Sequence, residues 1–142
     1  MKKFVTLFIL SVVGAFTFTS CDLNDDSSPT YNFEFAAIDS VHVPEQFILG
    51  ETKEITVYYK RPSTCHFYDG FYYEKDLNTR TVALQMAVMS NETCEPLVEE
   101  VAEASFTFYV SNTGSYLFKF YKGKDATGQN AFLEYEIPVV PE

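Results

Sequence analysis

Residues 115–122 read Ser115-Tyr116-Leu117-Phe118-Lys119-Phe120-Tyr121-Lys122, and they set the architecture expected of the whole chain. Tyr116, Phe118 and Phe120 alternate with Leu117, Lys119 and Tyr121. A strand turns successive side chains to opposite faces, so a period of two supplies one aromatic face to a core. The same period recurs upstream. Ile55, Val57 and Tyr59 alternate with Glu54, Thr56 and Tyr58, and Ala104, Phe106, Phe108 and Val110 alternate with Ser105, Thr107 and Tyr109. These β-branched and aromatic residues suit a pleated surface. Runs of this kind predict seven strands, at 36–43, 53–60, 65–73, 80–89, 101–110, 115–122 and 131–139. The breaks between them hold turn residues, among them Gly50, Pro62, Asp76, Asn78, Pro96 and Asn112-Thr113-Gly114. Seven short strands in about 110 residues predict an all-β, two-sheet sandwich over residues 31–142.

Composition narrows the function classes. The chain has 142 residues, enough for one domain, and its apolar share of 46% is that of a folded body rather than a disordered tail. Ten Lys and Arg against 20 Asp and Glu give a net charge of -10, which argues against nucleic acid as a partner. Two His, at 42 and 66, and three Cys, at 21, 65 and 94, are a thin inventory for metal or acid–base chemistry. There is no G-x-S-x-G and no Gly-rich phosphate loop. No cofactor, metal or catalytic residue is expected. His42 is predicted to face solvent, and His66 to be polar filler beside Cys65.

Met1 to Ser20 has Lys2 and Lys3, then a mostly apolar run from Phe4 to Phe18, then small residues. That order is the order of a secretory signal, and the run is shorter than a spanning helix needs. Phe18-Thr19-Ser20-Cys21 resembles the lipobox of bacterial lipoproteins, although that family usually has Leu where Phe18 stands. The resemblance implies cleavage before Cys21 and acylation of its sulfur and amine, with the membrane engaged through that lipid. Several chains bury enough methylenes for stable anchoring. Loss of Lys2 and Lys3 leaves eight basic against 20 acidic residues, a mature charge of -12. Residues 21–30, from Cys21 through Asp22-Leu23-Asn24-Asp25-Asp26 to Thr30, carry no apolar periodicity and read as an acidic linker. Acidic residues directly after the Cys resemble the surface-export signal of Bacteroidota lipoproteins, which implies an outer-membrane, surface-exposed location.

The 31–142 domain resembles the immunoglobulin-like sandwiches of secreted bacterial lipoproteins, without the Trp and paired strand Cys of antibody domains. In that strand order, Cys65 and Cys94 fall in loops that gather at one pole. An oxidising compartment then favours a Cys65–Cys94 disulfide. The alternative is a reactive or metal-binding Cys beside His66, with too few ligands for a closed zinc site.

Candidate contact residues fall into two groups. Tyr58, Tyr68 and Tyr72 lie on predicted strands and would form an outward aromatic platform, or else be ordinary exposed strand aromatics. Lys124, Asp125 and Asn130 lie in the longest polar hairpin, 122–130, at the pole of the two Cys. Glu134 and Glu136 share a face of the last strand and read as solvated acids rather than a glycosidase pair. The sequence therefore points to a non-catalytic envelope lipoprotein serving protein interaction or envelope structure. Its rivals are a glycan-binding accessory of polysaccharide uptake and a small hydrolase or inhibitor.

Overall fold

The computed structural model describes residues 30–90, 93–98 and 100–141. The expected leader 1–20, Cys21 and the linker up to residue 29 lie outside the described residues. Nine strands are present among those described: β1 (Tyr31–Ala36), β2 (Ile38–His42), β3 (Phe47–Ile48), β4 (Thr52–Lys60), β5 (His66–Asp76), β6 (Thr79–Met89), β7 (Val101–Tyr109), β8 (Ser115–Lys124) and β9 (Asn130–Val140).

Each of the seven strands expected from periodicity has a counterpart, in β2 and in β4 to β9, but the count of seven is corrected to nine. The two additions have different causes. β1 alternates as cleanly as any strand, yet only Ala36 of its six residues is buried. It adds little to the core, so its pattern merges with the polar linker before it. β3 spans two residues, too few for a period to register.

The strands form two sheets. In the larger, β5 and β6 make a hairpin paired from His66↔Val88 to Asp76↔Thr79. On its other edge β6 pairs β8 in parallel over Thr79–Val82 and β1 antiparallel over Leu84–Met89. β9 then pairs antiparallel to β8, and β3 closes that edge in parallel. The smaller sheet is antiparallel, in the order β2-β4-β7. The edges β5 and β7 border the same side of the sandwich.

The core lies between the sheets on the faces that alternation assigns to it. Tyr116, Phe118 and Phe120 of β8 are fully buried, with Ile55 and Val57 of β4, Phe47 of β3 and Val82, Leu84 and Met86 of β6. Phe108 meets Tyr116 edge-on, centroids 4.9 Å apart and planes at 83°. Phe108 meets Phe118 in the same way, at 5.1 Å and 86°. Such geometry sets the positive ring edge against the negative face. Each fully buried aromatic contributes about 2–3 kcal/mol of transfer free energy.

Cys65 and Cys94 form a disulfide, their Cα atoms 5.4 Å apart and 29 residues apart in sequence. Closing a loop of that length stabilises by about 3–4 kcal/mol in the chain-entropy account. The Thr64 amide donates to the Glu95 carbonyl (3.0 Å) and the Leu97 amide to the Pro62 carbonyl (3.1 Å), so the staple also seats segment 93–98 on the β4–β5 connection. β8 runs parallel to β6, and the β8–β9 turn therefore leaves the sheet toward the end that carries the disulfide.

Candidate functional site

The outer face of the large sheet carries a trough whose position follows from the strand pairing. β6 changes partner at Ala83, from β8 on one side to β1 on the other. β8 then leaves β6 and bulges between Tyr121 and Lys124. Gly123 accommodates that bulge with φ +104, a value that other side chains rarely adopt, and a Cβ added there would lie 3.6 Å from the Ala37 Cβ. The space left open is about 470 Å³.

Thr81 and Ala83 are its small outward residues on β6, and four rings from four strands line it: Tyr72 (β5), Phe35 (β1), Tyr121 (β8) and Phe132 (β9). Successive ring centroids lie 5.6 Å (Tyr72–Phe35), 6.3 Å (Phe35–Tyr121) and 6.2 Å (Tyr121–Phe132) apart. Pairing explains the row. Tyr72 stands opposite Ala83, Phe35 opposite Gln85 and Tyr121 opposite Phe132, all on the face turned from the core. Phe35 and Tyr72 remain 49% and 44% exposed, so the row is surface rather than core.

Glu74, Lys124 and Asn130 add polar groups to the trough. The Tyr72 hydroxyl donates to Glu74 Oε2 at 3.3 Å. The Glu74 charge beside it, with that hydrogen bond, raises the Tyr72 phenol above its ordinary value. Lys119 adds a cation over the outer end of the row, its Nζ 5.1 Å from the Phe132 centroid and 3.2 Å from Glu134 Oε1.

The residues picked from sequence divide. Tyr72, Lys124 and Asn130 meet in the trough. Tyr58 does not join them: it points outward from β4 on the other sheet, opposite Ser40 and Glu103. Tyr68 does not either. The register of β5 shifts between Tyr68 and Gly70, so Tyr68 pairs with inward Met86 while Tyr72 pairs with outward Ala83. A bulge inserts one residue and reverses the parity beyond it. Tyr68 packs instead on Phe71, at 5.6 Å.

Asp125 is turned into its own hairpin. Its Oδ1 accepts from the Thr127 hydroxyl (2.7 Å), the Thr127 amide (2.8 Å) and the Gln129 amide (3.1 Å). The Thr127 hydroxyl, then the Gln129 and Thr127 amides, hold the carboxyl below its ordinary range. Phe35, Tyr121 and Phe132 were not singled out in the sequence. The signals were the alternation of Tyr31, Phe33 and Phe35, and the outward set of residues 115–122, which ends in Tyr121.

His42 is exposed. His66 has more partners than polar filler would: Ser63 Oγ lies 2.7 Å from its Nδ1, and Glu34 Oε1 lies 3.0 Å from its Nε2. Ser63 is buried, and its hydroxyl also accepts the Cys65 amide at 3.2 Å. This relay ties β1 to the disulfide loop. Among the described residues no cluster of three His, Cys, Asp or Glu could hold a metal ion. Compared with protein-family models, curated proteins and solved structures, the chain matches none.

Proposed function

We propose that this chain is a lipid-anchored bacterial envelope lipoprotein, of the outer membrane and exposed at the surface, whose sandwich is a non-catalytic glycan-binding module. The trough is the observation that carries the reading. A sugar ring is amphipathic: its C–H faces pack on aromatic rings and its hydroxyls seek fixed donors and acceptors. Four rings in a row offer the first, and Glu74, Asn130 and Lys124 beside them offer the second. This favours the polysaccharide-uptake reading over a purely structural or protein-interaction role.

Two features support the further reading that the sandwich is immunoglobulin-like. β2, β4 and β7 would stand for the A, B and E strands, with β8 and β9 as F and G. The Tyr116 hydroxyl, at the start of β8, accepts the Asn112 amide at 2.9 Å, in the manner of the tyrosine corner of such domains. The parallel β6–β8 pairing departs from that scheme and marks the β5–β6 hairpin as this chain's own elaboration.

A glycan array probed with the full chain tests the ligand class. Binding to at least one glycan is expected, lost in Tyr72→Ala and Phe132→Ala and kept in Tyr58→Ala. No signal with any glycan, or a signal indifferent to Tyr72, removes the reading. Intact mass of natively purified material tests the anchor: Cys21 should be the first residue and acylated, and a retained leader would defeat it.

A further inference from the structure

A second cleft lies on the opposite face of β5, between the edge strands β5 and β7, and holds about 400 Å³. Its walls are Phe71 and Tyr73 from β5 and Phe106 from β7. Phe106 lies 5.1 Å from Phe71 and 6.3 Å from Tyr73, ring centroid to centroid. Lys75 and Arg80 also line it, and no Asp or Glu does.

Arg80 is the unusual residue. It is 2% exposed, yet it forms no ion pair among the described residues. Its Nη1 donates to the Leu77 and Thr79 carbonyls (2.7 and 2.8 Å), and its guanidinium lies 4.8 Å from the Tyr116 centroid and 5.6 Å from that of Phe108. Its Nε is buried without a partner. A buried charge normally has a counter-charge, because desolvation is costly otherwise. Here the residue directly opposite in the β5–β6 register is Lys75, another cation. Like charges facing across a strand pair repel. Among the described residues no Asp or Glu forms an ion pair with either cation.

From these observations we infer that the β5–β7 cleft binds a small organic anion, a carboxylate on a flat apolar body. The carboxylate faces Lys75 and the Arg80 guanidinium, and the body lies among Phe71, Tyr73 and Phe106. A guanidinium held by two carbonyls, two rings and the Tyr73 hydroxyl is already oriented, so little is lost in fixing it on binding. Lys75 is exposed at the mouth and supplies the longer-range attraction. The cleft is independent of the trough, since Tyr72 and Tyr73 are consecutive residues on opposite faces of one strand.

Phenylacetate is the probe, with phenylacetamide as its uncharged counterpart, titrated into the full chain labelled with nitrogen-15. Saturable shifts are expected at the Arg80 Nε–Hε signal and the Lys75 and Phe106 amides. Affinity should fall about tenfold or more for the amide and for Lys75→Gln, an exposed change that leaves the core intact. Added salt should weaken binding. Arg80→Met should abolish it, with circular dichroism confirming the fold. No saturable shift, equal affinity for the amide, indifference to Lys75→Gln, or shifts confined to Tyr72 and Phe132 would overturn the inference. The glycan reading would survive any of these, because it depends on the other face.

Discussion

The two faces of the large sheet are built from the same residue types and do opposite things. On the inner face Tyr116, Phe118 and Phe120 are wholly buried against the second sheet. On the outer face Phe35, Tyr72, Tyr121 and Phe132 form a row just as aromatic, with no second sheet over it. Transfer free energy is gained only by surface that leaves water. The inner rings therefore hold the fold together, while Phe35 and Tyr72 of the outer row keep nearly half of their surface in water. Exposed aromatics grouped in a concave strip are more informative than the same residues scattered.

The comparison can be broken most directly by cutting one ring from each face. Phe118→Ala should destabilise by about 3–5 kcal/mol, from lost transfer energy and the cavity left behind. Phe132→Ala, at a half-buried ring, should cost clearly less, about 1–2 kcal/mol, while removing the glycan binding proposed for the trough. Urea unfolding of both variants reads the difference, and equal losses would mean that the outer row is part of the core after all.

A smaller effect is expected at the turn of the hairpin that serves both faces. Leu77 lies between β5 and β6 with φ 50, a conformation that costs a branched side chain about 1 kcal/mol or more. Gly is favoured at the first central position of such two-residue turns. Leu77→Gly should therefore raise stability by about 0.5–1 kcal/mol. A lower urea midpoint would show that Leu77 makes a contact worth more than its strain.

The smallest effect concerns acid. Asp125 is held below the ordinary aspartate value of 3.8 by the Thr127 hydroxyl and by backbone amides. A group whose folded value is depressed contributes fully above its unfolded value and loses that contribution as pH falls through the folded one. The clasp is thus complete at neutral pH and opens only below about 3.8. Amide shifts of Thr127 and Gln129 should move together in that acid range in the native chain and stay still in Asp125→Ala. Because Lys124 and Asn130 flank the clasp as a register pair, its opening should loosen one end of the trough without touching the inner face.

Much of this was legible in the residues. Alternation in 53–60, 101–110 and 115–122 assigns the inward faces that the structure buries, because a pleat offers two sides and only one can be apolar at both ends of the exchange with water. The Cys65–Cys94 pairing was also within reach, since both residues bracket strands that meet at one end. Tyr58 and Tyr68 were misgrouped with Tyr72 for a definite reason. Periodicity is counted along one strand; it cannot register the bulge near Asp69 or tell which sheet a strand joins.

What the linear order determined is local and periodic: where strands run, which side chains share a side, and the absence of the usual catalytic motifs. Tertiary structure alone determined which sides meet. The switch of β6 from β8 to β1 at Ala83 opens the trough, and the apposition of β5 with β7 encloses Arg80 beside Lys75. Strand pairing is fixed by contacts between residues far apart in the chain, each conditional on the rest, so no window of sequence contains it.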